Sequence, residues 1–321
     1  ARSAMNQKVE GSALKNLRAA HESVQQVNEL LPLGRANVIP DIEKAKGEHI
    51  SLRKDAANKL VESLVFNHLR TGRDFTDDDL NGAIAASAQY AKTGTCGDFA
   101  TNTTALHAAK LADLKETRAV VSHTQHKTID HGWSEMHPKG RNADGTPILH
   151  GEDVILDGWC KEKVAVLRED SYFARLDQDG KAGHLKHDDP MNHRTGPEAL
   201  KAVEKYKARI ESSPFFQDVF KKDFESLVAN KEEWPKESLW NDTSVFHADF
   251  RGRAGNALHE DAQQARSASL AGIRAVGVAR SLGSNVRGAI AEAPGIIASA
   301  KDMFPNPESN KRKRDVAESS G

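Results

Sequence analysis

The sequence predicts an α+β fold: a small antiparallel sheet packed on one helix and flanked by helical regions. Two observations carry this. Short strand-like segments are confined to the middle of the chain, at 118–123, 131–137 and 153–159, and apolar residues recur at helical spacing on both sides of them. Four regions follow: N-terminal helices over 1–92, a core over 93–195, C-terminal helices over 196–304, and a disordered basic tail over 305–321.

Taken in order, Asp41-Ile42-Glu43 opens a helical stretch reaching Leu69, with Leu60, Leu64, Val65 and Leu69 along its end. Thr76 followed by Asp77, Asp78 and Asp79 is an N-cap with three acids at the positive end of a helix that stops at Thr93-Gly94. Cys96 then begins another helix, with Leu106, Ala109, Leu111 and Leu114 as its apolar positions. Val120-Val121 and Val154-Ile155-Leu156 mark strands, and Asn142-Ala143-Asp144-Gly145 supplies the turn of a long hairpin between the second and third. Beyond Gly196-Pro197-Glu198, Leu200, Val203, Tyr206 and Ile210 share one helix face, Phe215 to Val228 forms a second helix, and 256–300 is Ala- and Gly-rich.

With 45 Lys+Arg against 46 Asp+Glu in 321 residues, the formal charge is -1, which argues against a surface built wholly for nucleic acid. The longest uncharged run, Leu80 to Ala91, is too short for the ~20 residues a membrane span needs, so membrane association is not expected. The start, Ala1-Arg2-Ser3-Ala4-Met5, has no apolar signal core. Two cysteines exclude a disulfide framework.

Cysteine attacks as the thiolate, and a helix start or a neighbouring imidazolium favours that form. Cys96, after the breaker Thr93-Gly94-Thr95, is placed for the first device, and the N–H groups there suit an oxyanion. On a strand, His131, Trp133 and Glu135 share a face. Asp157, at the end of the next strand, is placed to orient His131 if the two strands pair, completing a nucleophile–base–orienter triad. His123, His126 and His137 are rival bases.

Gly94-Thr95-Cys96-Gly97-Asp98-Phe99-Ala100, then His131-x-Trp133-x-Glu135, then Leu156-Asp157, resembles the transglutaminase-like superfamily of cysteine enzymes. The resemblance covers about 93–159 and implies Cys96 as nucleophile, His131 as base, Asp157 as its partner, and Trp133 and Trp159 beside the substrate. It departs from the family in the 26 residues from His131 to Asp157, which require an insertion at 138–151, and in Gly-Trp after Asp157, where the family often has Pro. The implied chemistry is acyl transfer from a protein carboxamide to an amine or to water, with no cofactor and no metal. Related folds cleave peptide bonds instead, and a non-catalytic helical interaction protein is the reading from a different class.

Other signals are weaker. His184, His187 and His193, beside Asp188 and Asp189, lack zinc spacing and predict a solvated loop. Asp177-Gln178-Asp179-Gly180 predicts a turn, and Cys160 a structural thiol. Arg266, Arg274, Arg280 and Arg287 punctuate the Ala-rich helices, as a membrane-surface or partner-binding face or as an ordinary helix pair. Lys311–Arg314 matches what nuclear import receptors bind. Together the helical flanks, the low cysteine content and the basic tail suit a secreted bacterial effector acting inside a host cell.

Overall fold

The computed structural model describes residues 11–126, 130–161, 163–168, 171 and 185–241. All of them fall in one compact unit, Val9–Asp249. The sequence boundaries expected at 92/93 and 195/196 therefore lie inside that unit. The Ala-rich arginine helices, Lys311–Arg314, Asp177–Gly180 and His184 lie outside the described residues.

The fold is α+β. Helix α1 (Gly11–Leu30) leads to a two-residue strand β1 (Gly34–Arg35) and a short helix α2 (Ile39–Lys44). Helices α3 (Ile50–Leu69) and α4 (Asp77–Ala91) follow. The single helical stretch expected from 41 to 69 is thus two helices, separated at Gly47, whose φ of 80° no helix accommodates. Thr76 caps α4 as expected: the Asp79 N–H donates to its hydroxyl at 3.2 Å. Strand β2 (Thr93–Gly94) pairs parallel with β1 and hands the chain to α5 (Cys96–Asp113).

The sheet comprises β3 (Val120–His126), β4 (Gly132–His137), β5 (Val154–Leu156), β6 (Ala165–Leu167) and β7 (Leu185–Asn192). Their order is β6-β5-β4-β3-β7, and every neighbouring pair is antiparallel. The expected hairpin between 131–137 and 153–159 is β4–β5. Its insertion turns where the Asn-Asp-Gly chemistry predicted: Gly145 has a φ of 86°, and Asp144 Oδ1 accepts the Thr146 N–H at 2.9 Å. The solvated loop expected at 184–193 is instead the edge strand β7. Pro190 removes one ladder donor there, and the β3–β7 register shifts between Val121 and His123, so the strand hides behind a bulge.

Helices α6 (Thr195–Ser212) and α7 (Pro214–Asn230) complete the unit. Val121, Met136, Val154 and Leu156 on one sheet face pack against Ala20 and Val24 of α1 and Ala105, Ala108 and Leu111 of α5. Ala199 and Val203 extend the same cluster onto α6. Farther out, Leu60, Leu64, Ala83, Tyr206, Ile210 and Phe220 bind α3, α4, α6 and α7 into a helical cluster.

Candidate active site

Cys96 occupies the first turn of α5, half-buried, where the helix leaves its leading N–H groups without intrahelical acceptors. Asp98 fixes this turn. Its Oδ2 accepts the Thr95 N–H at 2.7 Å, and its Oδ1 pairs with Lys54 of α3 at 2.8 Å. Both partners of that pair are largely buried, so the start of α5 is tied to the helical cluster as well as to the sheet.

His131 immediately precedes β4 and is buried. Its Nε2 donates to Asp157 Oδ2 at 2.7 Å. A proton exchanged with Cys96 must then pass through Nδ1. The ring lies between two indoles, stacked on Trp133 at 5.7 Å and tilted against Trp159 at 4.9 Å between centroids. Burial alone would lower the imidazole pKa. The charge and hydrogen bond of Asp157, with further contributions from the Cys96 sulfur, outweigh it and raise the value to about 9.

Asp157 sits one residue past β5, where the chain folds back on its carboxylate. Oδ1 accepts the N–H groups of Trp159 and Cys160 at 3.0 and 3.1 Å. Oδ2 accepts the Cys160 thiol at 2.8 Å in addition to His131. Burial raises its pKa, but the imidazole and these donors outweigh burial and hold the group below the usual carboxylate range. Gly158 permits the turn to press on the helices, since a Cβ there would come within 2.6 Å of Val27 and 3.3 Å of Phe99.

The structure therefore brings Cys96, His131 and Asp157 together. Of the rival histidines, His126 adjoins His131, its backbone N–H donating to the His131 carbonyl at 3.3 Å, and the other two lie elsewhere. His123 lies on the opposite face of the sheet from His131, and His137 lies at the far end of β4. Trp133 and Trp159, expected beside the substrate, are both fully buried and box the imidazole. Several supporting residues escape sequence reasoning. Arg35 donates to the Trp159 carbonyl at 3.1 Å while paired with Asp41 through both carboxylate oxygens. Asn37 accepts the Trp159 indole N–H at 3.0 Å. Cys160, expected to be a structural thiol, is the fourth donor to the catalytic-type carboxylate. The Asp-Gly pair at 157–158 is the one local signal that could have revealed it, as an Asx turn aiming the next N–H groups at the aspartate.

Beside Cys96 a polar groove of about 600 Å³ opens along Thr95, Gly97 and Asp98, with Asn58 and Asn81 on one wall and Gln125 on the other. Among the described residues no helix is long and apolar enough to cross a membrane. Comparison of the chain with family models, with curated proteins and with solved structures found no match.

Proposed function

We propose that the protein is a thiol-dependent acyltransferase or amidase acting on protein carboxamides, in the manner of the transglutaminase-like enzymes its sequence resembles. The observation that carries this reading is the meeting of a helix-start cysteine with a buried imidazole that is itself anchored to a multiply hydrogen-bonded carboxylate. In the proposed cycle Cys96 Sγ attacks the carbonyl carbon of a glutamine side chain. The first-turn N–H groups of α5 receive the developing oxyanion. His131, protonated at neutral pH, gives its proton to the departing ammonia and leaves a thioester on Cys96. An amine or a water molecule, deprotonated by the same imidazole, then attacks the thioester and regenerates the thiol. Asp157 fixes the ring orientation, and Trp133 and Trp159 keep water from the His131–Asp157 bond.

The test follows ammonia release from glutamine-containing proteins, with and without a primary amine. Cys96→Ala and His131→Ala should each abolish release, because nucleophile and base act as a unit. Asp157→Asn should retain a residue of activity, since it orients without making bonds. Amine incorporation assigns a transglutaminase and ammonia alone a deamidase. New peptide termini would replace both with a protease of the same chemistry. Turnover by Cys96→Ala equal to wild type would end the thiol mechanism and favour an interaction protein.

A further inference from the structure

A second polar cluster, which acyl transfer does not use, lies on the sheet face opposite Val121, Met136 and Leu156. Alternation along β4 places Glu135 and His137 on that face, and the β3–β7 register brings His187 to it opposite Thr124. Glu135, His137 and the neighbouring Asp153 are fully buried, and His187 is half-buried, which leaves a route from solvent. One donor atom from each of Glu135, His137 and His187 lies within 4.8 Å of the other two.

Behind His187 stands a hydrogen-bond partner, and behind His137 a carboxylate at ion-pair distance that makes no hydrogen bond with it. His137 Nδ1 faces Asp153 Oδ2 at 3.3 Å, and His187 Nδ1 is 3.0 Å from the Thr124 hydroxyl. Such partners orient the other ring nitrogen of a metal-binding histidine. Glu135 pairs with Arg168 through Oε1, while its Oε2 and His137 Nε2 make no hydrogen bond in spite of their burial. Buried polar atoms normally have a partner, and leaving one without is costly.

We propose that Glu135, His137 and His187 bind one zinc-class dication, at a site separate from the Cys96 centre. Two imidazoles and one carboxylate suit zinc, whereas calcium and magnesium take oxygen ligands. The competing occupant is a proton on one of the imidazoles.

Zinc has a second place to go, because ligand atoms of His131, Asp157 and Cys160 also lie within 4.8 Å of one another. The full chain carrying Cys96→Ser and Cys160→Ser removes the thiols. Stripped with a chelator and titrated with zinc chloride by calorimetry, it should bind one equivalent, and zinc should raise its melting temperature. Cobalt(II) in its place should give visible ligand-field bands without a thiolate charge-transfer band. Adding His187→Ala should weaken zinc binding by more than about 100-fold, and Thr124→Val, which removes only the supporting hydroxyl, by about 10- to 100-fold. Should His187→Ala melt early in chelator, the Thr124→Val variant decides. A thiol-free protein that binds no zinc, or either variant binding as tightly as its parent, would overturn the site in favour of the proton.

Discussion

His131 keeps its proton well past neutral pH because the fold surrounds it with charge of the opposite sign while excluding water. Burial opposes protonation, yet Asp157 and Cys96 carry the pKa from its ordinary 6.5 to about 9. A raised pKa means the native state binds the proton more tightly than the unfolded chain does. The stabilisation is therefore complete below pH 6.5 and disappears as pH rises through about 9. Urea denaturation of wild type and His131→Asn across this range should show the gap between them closing with rising pH. A gap of constant size would mean that the imidazole is neutral in the folded protein. At this scale much of the candidate site was legible in the sequence. Cys96, His131 and Asp157 each stand at an element boundary marked by local rules: a cap, the start of an alternating segment, and an Asp-Gly turn. Arg35 and Asn37 were not, because their roles depend on where the 34–41 segment passes Trp159, and no spacing along the chain encodes that; the bonds of Cys160 to Asp157, three residues back, belong to the local turn.

Helix α5 is the element on which everything else is hung, so its neighbours must come close. At Gly196 of α6 a Cβ would fall 2.3 Å from the backbone carbon of Ala108. Backbone, unlike a flexible side-chain end, cannot move aside at low cost. Gly196→Ala should accordingly destabilise the protein by about 2 kcal/mol or more, in the upper range for overpacked interiors. Gly97, one residue after Cys96 on the same helix, meets nothing within 4 Å. There alanine should leave stability unchanged or raise it by up to about 1 kcal/mol, through the smaller entropy of the unfolded chain. Equilibrium unfolding in urea measures both, and equal effects at the two glycines would contradict the close α5–α6 contact. Most elements could be read from periodicity and caps, α4 and α5 most directly. Strand β7 could not. Lys186, Asp188, Asp189 and Pro190 are residues that protect a sheet edge, and the same residues fill solvated loops. The break between α2 and α3 does stand in the sequence, where Lys46-Gly47-Glu48-His49 interrupts the apolar positions around a glycine.

The described residues build one interior, although the sequence suggests a helical preface, a catalytic core and a helical sequel. Composition shifts at 92 and 195 mark changes of element type, which differ from domain boundaries because packing crosses them. The apolar face of β4 and β5 is covered by α1, and α5 is covered on its outer side by Ala199 and Val203 of α6. The β1–β2 pairing, Gly34 with Thr93, fastens the approach to Cys96 to a segment sixty residues earlier. Lys54 then ties the first turn of α5 to α3 through Asp98. A fragment of residues 93–195 carries all three proposed catalytic residues and keeps α5 on the sheet, but loses the cover that Ala20, Val24, Ala199 and Val203 give to that cluster. A large apolar side chain contributes about 1.5–3 kcal/mol when fully buried, so uncovering one face of the cluster costs an amount comparable with the ~5–15 kcal/mol by which folded domains are stable. The isolated fragment should therefore lack a cooperative thermal transition and near-ultraviolet circular dichroism, and its Cys96 should label with iodoacetamide no faster than a free thiol. In the full chain, labelling should be faster than in its His131→Ala variant at neutral pH, since there the imidazolium stands beside the sulfur. A fragment that melts cooperatively and labels like the full chain would show that the core is a domain in its own right, with the helices added around it.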